Sequence, residues 1–106
     1  LIAELPEGAA VEVPATVDAG GVHPERSGPL PAAGVALNRT YLSVAELTVR
    51  AAQEGDPTLV RQAVLLDANA SSSLTPDEIW ELCDELTAAH AAYLPRSLGG
   101  TLAEAR

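Results

Sequence analysis

At 106 residues the chain has room for one domain and one core, and a content of 47% hydrophobic and 20% charged residues excludes a disordered tail. The formal charge is −9, from 15 acidic residues against 6 basic ones; with no basic stripe to neutralise phosphates, nucleic acid is excluded as a partner. A single cysteine, Cys83, rules out an internal disulfide and suits a reducing cytoplasm, while no apolar run reaches the ~18–20 residues of a membrane span and nothing resembles a signal peptide.

The core implied by this composition is aliphatic and lean: no Phe, no Met, one Trp and two Tyr. Alanine supplies much of the apolar count, and burying its methyl gains far less than the ~1.5–3 kcal/mol of a buried Leu or Val. The expectation is marginal stability alone, or reliance on a partner surface. The chain opens Leu1-Ile2-Ala3 and contains no Met, which reads as a piece excised from a longer protein, N-terminal processing being the other source of a missing initiator.

In chain order, Leu1 to Leu5 and Ala10 to Val17 read as two strands of a hairpin turned by Pro6-Glu7-Gly8. Pro14 lacks an amide donor, which assigns it to an edge or to a strand that has stopped pairing. A hairpin alone is marginal in water, so this one needs a helix layer or a neighbouring sheet. Ala19 to Pro31, with Gly20, Gly21, Pro24, Gly28, Pro29 and Pro31, reads as a long irregular loop.

From Ala33 onward the pattern is helical. Ser43-Val44-Ala45-Glu46 fits a capping box that would start a helix at Ser43; Ala32 to Thr40 is equally helix-compatible, which leaves open one helix from about Ala33 to Glu54. Gly55 closes it, and Asp56-Pro57 then caps and opens a second helix to about Asp67. Thr75-Pro76-Asp77-Glu78 is the cleanest helix start in the chain. Ile79, Leu82, Cys83, Leu86, His90 and Tyr93 follow on one face at helical spacing, and Pro95 marks the end. These elements define an α+β fold: an N-terminal β-hairpin, a long Gly/Pro loop and a cluster of about three helices. They form a single partial domain over residues 1–96, followed by a flexible tail over residues 97–106 around Gly99-Gly100.

Few residue constellations carry chemistry. Glu78, Glu81, Asp84 and Glu85 crowd one helix, but without a carbonyl-rich loop or further ligands they read as a solvated acidic face rather than a cation site. Glu12 has no recognisable carboxylate partner of the kind a paired-carboxylate glycosidase uses. Cys83, mid-helix on the apolar face, reads as a small buried hydrophobe, and Cys83 with His90 lacks the other ligands of a zinc site. Trp80 reads as a packing anchor. Asn38-Arg39-Thr40 and Asn69-Ala70-Ser71 match the glycosylation triplet by chance, in a chain without secretory features. His23 differs because it lies in the Gly/Pro loop, from which it can reach a cleft, with Arg26 three residues on as an anion clamp. His23 and Arg26 are therefore the substrate-cleft candidates; no catalytic, cofactor-binding or metal residue is assigned.

The segments LPEGAAVEVPATVDAGGVHPERSGPLP, ALNRTYLSVAELTVRAAQEGD, QAVLLD and DEIWELCDEL, in that order and spacing, resemble the C-terminal part of glycoside hydrolase family 4. The likeness runs to about Tyr93 and lies nearer the α-galactosidase and α-glucuronidase side than the phosphoglycoside side. It implies the C-terminal part of a lactate dehydrogenase-like α/β fold, and a parent that uses NAD and a divalent metal, typically manganese. In such a parent the sugar C3 hydroxyl is oxidised, C2 deprotonated and the aglycone eliminated, after which water adds and the hydride returns.

The departures are as informative. There is no Gly-rich dinucleotide fingerprint here, and the family's metal-binding Cys and His and catalytic Tyr belong to motifs upstream of the matching region, so Cys83, His90, Tyr41 and Tyr93 inherit nothing. The resemblance implies a C-terminal structural and oligomerisation portion, inactive alone and without a cofactor of its own. Its partners would be the remainder of the parent enzyme and further copies of it in the cytoplasm. The competing reading is a stand-alone acidic helical module that holds a protein partner. A severed piece should expose a contiguous apolar face; a self-sufficient module should bury its strands' apolar side chains.

Overall fold

The computed structural model describes residues 1–98. The chain divides into two compact units, Leu1–Arg39 and a second beginning at Thr40. The described residues form an α+β arrangement in the order β1 (Ala15–Asp18), β2 (Gly21–Pro24), α1 (Ala32–Glu54), α2 (Pro57–Leu66), α3 (Ala68–Ser71) and α4 (Pro76–Ala89).

The hairpin exists, but not where the turn residues Pro6-Glu7-Gly8 put it. Leu1 to Leu5 is not a strand. Leu5 N–H donates to the Ile2 carbonyl at 3.3 Å and Ala9 N–H to the Pro6 carbonyl at 3.2 Å, so local turns consume the backbone groups that a ladder would need. Gly8, at φ +85°, occupies the third position of the second turn, where a side chain would be strained. Val11 to Val13 remains unpaired by strand bonds, and pairing starts only after Pro14.

β1 and β2 run antiparallel with Ala15 opposite Pro24, Thr16 opposite His23, Val17 opposite Val22 and Asp18 opposite Gly21. The turn is therefore Asp18-Ala19-Gly20-Gly21, and a strand occupies part of the segment expected to be irregular. Gly21 takes φ +122°, which explains a glycine there. Asp18 Oδ1 accepts the Gly20 N–H at 2.6 Å, an aspartate side chain folding back on its own turn. Pro14 cannot donate, but its carbonyl accepts Glu25 N–H at 2.8 Å, and Leu1's carbonyl accepts Ser27 N–H at 3.1 Å. The segments flanking the hairpin are thus stitched together.

From α1 onward, local signals and packing agree. α1 settles the open alternative as one long helix: it starts after Pro31, whose carbonyl accepts Val35 N–H at 3.0 Å, and passes straight through Ser43. Gly55 ends it with φ +68°, its N–H on the Ala51 carbonyl at 2.9 Å. A Cβ on Gly55 would lie 2.5 Å from Ser97 Oγ and 2.8 Å from Ser97 Cβ, so the position demands glycine for space as well as conformation.

Asp56 caps α2 by accepting Thr58 N–H at 2.8 Å, with Pro57 at the first helical position. Asp67 both ends α2 and caps the short α3, its Oδ1 accepting from Asn69 N–H at 3.0 Å and Ala70 N–H at 2.9 Å. Sequence periodicity gave no sign of α3. Thr75 and Glu78 complete the capping box of α4. That helix stops at Ala89, short of Pro95, with His90 as its C-cap.

α2 packs against both α3 and α4. The buried apolar residues are Ala51, Leu59, Ala63, Ile79, Cys83 and Leu98, a lean core as composition implied. The apolar face expected on the last helix is only partly used: Ile79 and Cys83 are buried, whereas Leu86 and Tyr93 are exposed, Tyr93 at 86%. Of the expected tail over residues 97–106, Ser97 lies beside Gly55 and Leu98 is buried; residues 99–106 lie outside the described residues.

Candidate functional site

His23 lies on β2 directly opposite Thr16, and strand alternation puts Thr16 and Asp18 on its face of the ribbon. Its ring Nε2 sits 3.0 Å from Asp18 Oδ1, the oxygen that also accepts Gly20 N–H. The bond to His23 and then the Gly20 amide hold the Asp18 carboxyl below its ordinary value, against an opposing effect of burial and with a lesser contribution from the Gly21 amide. Alongside, Thr16 Oγ1 donates to Glu25 Oε1 at 3.1 Å. One face of the hairpin is thus a closed set of polar pairs, with His23 and Asp18 both more than half exposed.

With both side chains open to solvent, this arrangement offers no dry, low-dielectric environment of the kind that makes such a pair a strong base. Arg26 is exposed, two residues beyond β2, and the ion pair of His23 is made with Asp18 rather than with Arg26's neighbourhood. The structure brings His23 together with Asp18, which sequence reasoning missed, rather than with Arg26. The available signal was an aspartate opening an Ala-Gly-Gly turn with histidine five residues on. Its meaning depends on a hairpin register that the sequence reading had misplaced.

The remaining candidates resolve into structural roles. Glu78 is occupied by its capping box, and the Thr75 amide followed by the Thr75 hydroxyl lowers its pKa. Asp84 accepts from Arg61 at 2.8 Å, joining α4 to α2, and Arg61 also lies 5.6 Å from the Trp80 ring centroid. Trp80 is therefore a packing partner. Burial pushes the Cys83 thiol up, the opposite of what a nucleophile or metal thiolate needs. His90 donates from Nδ1 to the Leu86 carbonyl at 2.8 Å, finishing the helix. Among the described residues, no group of His, Cys, Asp and Glu is assembled that could hold a metal ion, and no helix is long and apolar enough to cross a membrane.

The comparisons place the chain in a family. The sequence model for the Family 4 glycosyl hydrolase C-terminal domain matches residues 1–70, and the chain belongs to that family. It is 39% identical over 95 residues to an alpha-galactosidase of Bacillus subtilis (strain 168), a match covering 90% of this chain and 22% of that protein. It is 35% identical over 96 residues to an alpha-galactosidase of Rhizobium meliloti (strain 1021), covering 91% of this chain and 20% of that one. The chain thus spans about a fifth of the length of these relatives. No solved structure matches it significantly.

Proposed function

We infer that this chain is the C-terminal structural and subunit-contact portion of a cytoplasmic family 4 glycosidase acting on α-galactosides. The observation that carries this reading is the joint match of the C-terminal domain model over residues 1–70 and of two alpha-galactosidases over nine tenths of the chain. In this reading the parent works by NAD-dependent redox elimination with manganese. NAD would supply the hydride acceptor and donor, and the metal would polarise the sugar oxygens.

The residues described here do not fit either group: they assemble no ligand cluster, and the chain has no Gly-rich dinucleotide loop. In this reading both groups would be held by the part of a family enzyme that this chain does not match. What this chain supplies is packing. Its core holds the helices, and its exposed apolar residues, among them Val17, Val22, Leu37 and Tyr41, offer contact area to the rest of the enzyme and to further subunits.

The direct test is an assay of the purified chain on p-nitrophenyl α-galactoside with NAD, manganese and reductant. The expected result is no turnover above background and no NAD binding by calorimetry. Robust turnover by the chain alone would overturn the reading.

A further inference from the structure

We draw no further inference here: the strongest candidate, the side-chain cluster between α2 and α4 in which Arg61 bonds Asp84, lies against Trp80 and keeps a buried Nε without a hydrogen-bond partner among the described residues, belongs to the helix packing already described, and nothing in the structure shows what would meet that nitrogen.

Discussion

The hairpin and the helical unit handle apolar side chains in opposite ways. Ile79 is 1% exposed and Cys83 lies beside it in sequence register on the same helical face, whereas Val17 and Val22 face each other across the ribbon in water. The helical unit is held by a core of its own. The hairpin is held by its polar side: the Asp18 turn, the Thr16–Glu25 bond and the backbone bonds at Pro14 and Leu1. Shape in one region comes from packing, and in the other from local hydrogen bonding. A sequence can therefore prescribe a hairpin's geometry without providing the surface that would make it stable.

The sharpest way to break this contrast is to truncate one side chain from each region and compare. Ile79→Ala removes the largest fully buried side chain, for which the expected cost is about 2–5 kcal/mol. In a core this lean, a loss of that size unfolds much of the population. Val17→Ala, at an exposed position, should stay within about 0.5 kcal/mol. Urea unfolding of the free chain followed by far-UV circular dichroism measures both. Equal costs would mean that the hairpin is packed in solution and would dissolve the contrast.

A second, smaller effect tests whether backbone conformation as well as side-chain volume holds the helical unit. Gly55→Ala forces a residue with a Cβ into φ +68° and drives that Cβ against Ser97. The expected loss is at least about 1 kcal/mol, again read from the urea midpoint. An unchanged midpoint would show that the stretch containing Ser97 yields freely and that the helix end does not depend on this glycine.

What the sequence made legible follows from the range of the interactions involved. Asp56-Pro57 and Thr75-Pro76-Asp77-Glu78 are caps written within four residues, and both appear where they were read. The family resemblance was equally legible, since it rests on ordered segments. Ser43-Val44-Ala45-Glu46 left a helix start open beside the single long helix that the resemblance favoured; the long helix forms, because a cap needs a non-helical residue at its head and the helix begun after Pro31 was already running. The last helix was drawn too long because Pro95 only forbids continuation, while the actual stop lies at His90 and its bond to Leu86.

The hairpin was the largest displacement. Pro6-Glu7-Gly8 and Asp18-Ala19-Gly20-Gly21 are both good turns, and only the second has paired strands on each side. The His23–Asp18 contact was hidden by the same error. Without the register, no spacing rule brings an aspartate onto a histidine five residues away.

That contact gives the smallest and most local test of the comparison. Asp18's carboxyl is held below the ordinary carboxylate value, chiefly by the bond to His23 and then by the Gly20 amide. A depressed carboxylate pKa means the folded hairpin binds the proton less readily than the unfolded chain. Its contribution is therefore fully present above the ordinary carboxylate value and is lost as pH falls through the lower folded value. The Gly20 amide, which donates to Asp18 at 2.6 Å, reports this directly. Its resonance in a two-dimensional NMR titration should show its acid step below the ordinary carboxylate range, while the amides of α2 hold their positions over the same step. Asp18→Asn should abolish that movement. If Gly20 and α2 instead shift together, acid is unfolding the whole chain cooperatively, and the two regions do not have separate sources of order.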